Sequence, residues 1–266
     1  MYVLTIDQRG STSDVDRVPE LIAELQGLTS ARFERSVGDE LQGVVDRPDE
    51  VVDVALHALR TGNWYVGIGI GVVQMAPGGS PREGSGSGFV AARKAVELAK
   101  TAAGQVPLSV VAGMMGRGKE IPNQTKEGAM AGANAQAVLR LIGRLVQERT
   151  GAQWRVVDRL RAVRAGDGKH GSQKQVAREL GITEQSVSRA VLRSGWQEEW
   201  AARPAAAMLL EYARSRIAGT GPARAEPAAT ELAPPETARS ETAPPETAPP
   251  ETAPPETAPP RNEGDT

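Results

Sequence analysis

Apolar positions along the first hundred residues alternate between two spacings, and the alternation predicts a chain of strands and helices. Tyr2 to Ile6 is a short apolar run that reads as a buried strand. Asp16 to Leu28 follows at helical spacing, with Val18, Leu21, Ile22, Leu25 and Leu28 on one face. Arg32 to Val37 and Leu41 to Val45 flank the turn SVGDEL and predict a hairpin, after which Pro48 opens a helix carrying Val52, Ala55, Leu56 and Leu59. Trp64 to Val73 reads as a strand. Phe89 to Lys100 reads as a helix with Phe89, Ala92, Val96 and Ala99 aligned, and Val106 to Val111 as the closing strand. The order predicts a ferredoxin-like α+β domain over residues 1–112, with helices on one face of an antiparallel sheet.

Beyond residue 133 the spacing is helical throughout. ANAQAVLRLIGRLVQERT places Ala137, Leu141, Arg144 or Leu145, and Gln147 or Glu148 at helical spacing, and QWRVVDRLRAV aligns Trp154, Val157, Leu160 and Val163. The stretch from Ser172 to Trp196 has the pattern of a helix-turn-helix. Ala177 is the small residue at a helix crossing, flanked by Val176 and Leu180; Gly181 ends the first helix; Ile182 plugs the angle. Thr183 is an N-cap residue, and Val187, Ala190 and Val191 return an apolar stripe toward Val176 and Leu180. A further helix from Pro204 to Ile217, rich in Ala, Met and Leu, suits either this bundle or a dimer interface. An all-α helix-turn-helix unit over 133–217 is therefore expected, joined to the first domain by a linker or lid over 113–132.

Charge sharpens that expectation. The chain has a net charge of −2, yet Arg140 to Arg193 holds twelve Lys/Arg against five Asp/Glu, while Met1 to Arg60 holds six against twelve. A basic module beside an acidic one is the electrostatic footprint of DNA binding. Gln185, Ser186, Ser188, Arg189 and Arg193 form the outward face of the second motif helix, which Thr183 opens, and suit base edges or phosphates. Lys169, Ser172, Lys174 and Arg178 suit phosphate contacts. One such module covers too few base pairs for specificity, so a homodimer on two half-sites is expected.

The remaining composition sets bounds. From residue 218 the chain turns to Pro, Thr and Glu, with APPET units repeating from Ala233, and a disordered tail is expected. Cysteine is absent, and no signal peptide or membrane-length apolar run is visible. A cytoplasmic protein without membrane contact is expected. His57 and His170 have no partners at metal-ligand spacing, and the Gly78 to Gly88 loop lacks the order of a phosphate-binding loop.

Asp7 ends the first strand and Asp39 lies in the hairpin turn. If those strands are neighbours, the two carboxylates converge at one sheet edge, where such a pair suits Mg²⁺ with a triphosphate, though turn-making alone also accounts for both. The segments TIDQRGST, SVGDELQGVV, VGIGIGVV and GFVAARKAVELAK, in that order, resemble the motifs of class III nucleotidyl cyclases. The resemblance implies a metal pair at Asp7 and Asp39 and a triphosphate-binding Arg93. Phe89 stands where that family has a ribose-orienting asparagine, Arg35 where it has a purine-specifying lysine, and Arg82 near the partner aspartate. It therefore implies a degenerate domain, with Arg35 and Arg93 as the nucleotide-facing residues.

IDQRGS and GDELQG together with a carboxy-terminal helix-turn-helix resemble the SatD family of bacterial proteins over Met1 to about Arg203, a group understood chiefly as DNA-binding or regulatory. The expectation is a dimeric DNA-binding transcription regulator, modulated by Mg²⁺ or a nucleotide and without catalytic residues. The alternatives are an active nucleotide cyclase or phosphotransfer enzyme with a DNA-binding appendage, and a sigma-factor-like partner of RNA polymerase.

Overall fold

Strand β1 (Tyr2–Gln8) lies at the centre of the sheet, because every one of its residues is buried and both of its edges are paired. The computed structural model describes residues 1–102, 105–112, 122–166 and 172–217, with backbone alone at 122–125, 164–166 and 172. The chain divides into two units, Met1–Ala223 and Arg224–Thr266, and all described residues belong to the first. The APPET segment thus lies outside them.

Helix α1 (Val18–Gln26), β2 (Phe33–Arg35), β3 (Glu40–Val45), α2 (Pro48–Arg60) and β4 (Trp64–Ile70) follow β1. A single 3₁₀ turn at Pro81–Glu83 precedes α3 (Ser87–Thr101) and β5 (Leu108–Ala112). The sheet order is β2-β3-β1-β4-β5. All neighbours are antiparallel except β4 and β5, which are parallel.

Two expectations fail here. The sheet is mixed, because β4 reaches β5 through α3, and a strand–helix–strand crossover returns the chain in the same direction. It is also covered on both faces. Tyr2, Leu4, Ile6, Val66, Ile68 and Ile70 join the main core with α1 and α2. The opposite face of β4 presents Gly67 and Gly69, with Gly71 just past its end, and these leave room for the backbone of α3 at Val96, Ala92 and Gly88. Phe89 is displaced from the stripe expected of it and instead covers Gly84.

Helices α4 (Pro122–Gln147), α5 (Gly151–Gly166), α6 (Ser172–Leu180), α7 (Glu184–Arg193) and α8 (Trp196–Ile217) complete the described chain. Helix α4 starts well before Ala133 and buries Ala131, Ala135, Leu139, Ile142 and Val146, whereas Leu141 is 66 % exposed. Helix α8 starts at Trp196 and runs through Pro204. Both α4 and α8 pack against the sheet domain as well as each other. One cluster of buried side chains runs from Leu4 and Ile68 through Leu139 and Leu160 to Val176, Val187 and Leu210. No helix among the described residues is long and apolar enough to cross a membrane.

Candidate nucleic-acid interface and the carboxylate edge of the sheet

Helix α6 ends in a glycine cap. Gly181 has φ +64°, the Ile182 N–H reaches the Ala177 carbonyl at 3.0 Å, and the Gly181 N–H reaches Arg178 at 3.4 Å. This paired closure satisfies the last carbonyls of α6 and turns the chain sharply. Thr183 then accepts the Ser186 N–H at 3.2 Å and caps α7. Between α6 and α7, Val176, Ala177, Val187 and Val191 are buried, as the spacing required. Ile182 departs from expectation. It is 39 % exposed and lines a shallow depression with Ala152, Leu180 and Ala190.

The opposite face of α7 is open. Gln185, Ser186, Ser188, Arg189 and Arg193 are all exposed, as are Lys174 and Arg178 on α6. Thr183 is exposed too, but its oxygen is engaged by the cap. For Ser172 only the backbone is described, at the first position of α6, and Lys169 lies outside the described residues.

Part of the basic charge counted between Arg140 and Arg193 is already partnered within the molecule, some of it on the surface and some of it buried. Arg140 donates to the Leu108 carbonyl at 2.7 Å, Arg144 pairs with Glu148, and Arg159 pairs with Glu179. Arg149 has a fully buried side chain and lies 2.6 Å from Glu199, itself fully buried. Arg161 and Arg203 reach the same carboxylate at 3.1 and 2.5 Å. Burial alone would raise the Glu199 pKa, but Arg203, Arg149 and Arg161 reverse that and hold it below the ordinary glutamate range. Arg60 sits 4.0 Å from the centre of the Trp154 ring and pairs with Asp158 at 2.6 Å. Cations left facing solvent include Lys174, Arg178, Arg189 and Arg193, which gather on α6 and α7.

The second candidate lies at the end of β1. Asp7 stands directly opposite Glu40 in the β1–β3 register, and the Gln8 N–H donates to the Asp39 carbonyl at 3.2 Å. Asp7 and Asp39 are thus brought to one sheet edge, as expected. Two further residues complete the cluster: Arg93, which the resemblance to the cyclases already named, and Lys100, which the sequence did not single out. Lys100 Nζ lies 2.9 Å from Asp7, and Arg93 lies 3.5 Å from Glu40. The signal for Lys100 was present but faint: it lies seven residues from Arg93 on α3, and so shares its face.

Burial raises the Asp7 pKa above the usual carboxylate range despite Lys100, and the charge of Asp39 pushes it the same way. Glu40 is raised as well, chiefly by burial, against the pull of Arg93. Among the described residues no group of three or more His, Asp or Glu side chains is placed to hold a metal ion. An ammonium stands against the Asp7 carboxylate where Mg²⁺ would have to bind, and no third ligand side chain joins it among the described residues, so these residues do not fit the ion as they stand. Arg35 is likewise engaged, with Asp16 at 2.5 Å and the Gly38 carbonyl at 2.5 Å. His57 contacts Glu24 at 2.9 Å.

Compared with protein-family models, with curated proteins and with solved structures, the chain matches none.

Proposed function

We propose that the chain is a homodimeric DNA-binding transcription regulator in which α6 and α7 form a helix-turn-helix and α7 enters the major groove. The observation that carries this is the face of α7 bearing Gln185, Ser186, Ser188, Arg189 and Arg193, exposed opposite the buried Val187 and Val191. On this reading Arg189 and Gln185 read base edges. Lys174, Arg178 and Arg193 hold phosphates, with Lys169 and Ser172 at the approach to α6. Thr183 contributes by fixing the start of the reading helix.

The sheet unit is read as a ferredoxin-like, cyclase-like domain, a reading that the strand order β2-β3-β1-β4-β5 supports. Its role here is that of a non-catalytic scaffold. The Lys100–Asp7 pair withdraws support from both a Mg²⁺–nucleotide effector and cyclase chemistry at that edge.

The experiment is a fluorescence-anisotropy titration against a pool of genomic fragments at several salt concentrations, with wild type and Arg189→Ala in parallel. Selective binding is expected. Loss of Arg189 should cost about 1–3 kcal/mol on the preferred fragments and much less on random ones. Absence of binding by the wild type at low salt would sink the proposal, and Mg²⁺-dependent turnover of ATP or GTP would favour the cyclase instead.

A further inference from the structure

Helix α8 carries more apolar surface than the other described residues cover. Ala206, Leu210 and Ala213 face the core, yet Trp200, Met208 and Tyr212 are 50, 65 and 43 % exposed, and Pro204 between them is exposed as well. These four residues stand at i, i+4, i+8 and i+12 and so form one ridge along the helix. Beside the ridge, α2 and α8 leave a groove of about 420 Å³ whose walls include Val52, Trp200, Arg203, Pro204 and Ala207. Singly scattered apolar side chains need no explanation, but a continuous ridge next to a groove marks a contact surface.

We infer that this ridge is where two copies of the chain meet, α8 against α8 in antiparallel sense about residue 206. The inference rests on the DNA-reading proposal for its consequence and on α8 alone for its chemistry. The ridge is symmetric about that point. Antiparallel pairing sets Trp200 against the second copy's Tyr212 and Pro204 against the second copy's Met208, as a two-fold contact requires. Charge selects the same sense. The first turn of α8 carries exposed Glu198 and the last turn carries Arg216 on the same flank of the ridge, where its 3.3 Å contact with Glu127 is solvent-exposed, while Arg214 is held by Glu211; antiparallel helices therefore oppose Glu198 to Arg216 and align their dipoles favourably. Parallel pairing would set Glu198 beside Glu198. Met208, long and unbranched, is suited to fill the second copy's groove.

Helix α7 ends at Arg193 and α8 begins at Trp196, so this pairing carries the two α7 helices toward opposite ends of the α8 pair. At 1.5 Å of rise per residue the two Trp196 residues stand roughly 30 Å apart along the shared axis, close to the ~34 Å of one turn of B-DNA.

The test uses the full chain without DNA. Sedimentation velocity should give a dimer for the wild type and a monomer for Met208→Glu, with unchanged far-ultraviolet circular dichroism. Because the protein contains no cysteine, Met208→Cys adds a single thiol. A short bismaleimide should join Met208→Cys to itself but leave Glu20→Cys, on the exposed side of α1, unlinked. A monomeric wild type overturns the inference, as does a dimer that survives Met208→Glu or fails to crosslink at residue 208. The dimer is measured without DNA, so a dimer that then binds no DNA keeps the interface and removes the DNA-reading proposal.

Discussion

Asp7 has only 11 % of its side chain in solvent and Lys100 has 32 %, so the pair at the end of β1 is shielded on one side and wet on the other. Burial works to lower the Lys100 pKa, but Asp7 and Glu97 more than offset it and the net shift is upward. Its contribution to stability is thus fully present below the ordinary lysine value and is lost only as pH rises through the raised one. Asp7 has the opposite sense. Its folded pKa is raised, so it removes stability as pH climbs from the ordinary aspartate value through the folded one. Lys100→Met leaves that carboxylate buried and unneutralised, which should cost about 1–3 kcal/mol near pH 7 after allowance for the exposed side of the pair. The loss should shrink in acid, where Asp7 takes up a proton. Urea unfolding at pH 7 and pH 4 measures both, and equal losses at the two pH values would show that the ammonium is not the counterion of Asp7.

At the scale of elements, the seating of α3 depends on what β4 lacks. A Cβ at Gly67 would fall 2.4 Å from the Val96 backbone nitrogen, and one at Gly69 would fall 2.2 Å from the Gly88 carbonyl oxygen. Backbone cannot step aside as a side-chain tip can, so Gly67→Ala and Gly69→Ala should each destabilise by roughly 2–3 kcal/mol as α3 is lifted. Gly151→Ala, at a helix start with nothing within 4 Å, should fall within about 0.5 kcal/mol of wild type in the same chemical-denaturation series. Much of the element order was legible because strands and helices announce themselves by period. Tyr2–Gln8, Pro48–Arg60 and the pair α6 and α7 stand close to where the spacing put them. The glycine face of β4 was not legible, since a residue without a side chain leaves no hydrophobic signal. The buried face of α4 was misjudged because two of its positions, Ala131 and Ala135, are weaker markers than Leu141, which points to solvent. At the site, Asp7 at the end of its strand and Asp39 in its turn were visible, but Lys100 becomes their neighbour only through the packing of α3.

For the molecule as a whole, the charges counted as a phosphate-seeking surface include Arg140, Arg149 and Arg161, which instead bind within the fold, joined by Arg203 and Arg60 from outside the counted stretch. Glu199 on α8 gathers Arg149 beyond α4, Arg161 on α5 and Arg203 on α8, and Arg203 also pairs with Asp53 on α2. Arg60 on α2 adds its bond to Asp158 on α5. Sequence counting could not separate these arginines from those on α7, because the difference is burial and not residue type. Together with the unbroken core, they leave no seam along which α4 to α8 could unfold while the sheet persists. Scanning calorimetry should therefore show one transition for the described fold, with calorimetric and van't Hoff enthalpies in agreement. Glu199→Gln keeps the shape but strands buried guanidinium groups, so it should lower stability by about 3 kcal/mol or more and move that transition as a unit. The Glu199 pKa is depressed, so its stabilisation is present above the ordinary glutamate value and disappears as pH falls through the folded one. The gap between wild type and Glu199→Gln should accordingly be wide at pH 7 and narrow in acid. Two separate transitions, or a variant in which the helices melt ahead of the sheet, would mean that the arginine cluster joins parts that are otherwise independent.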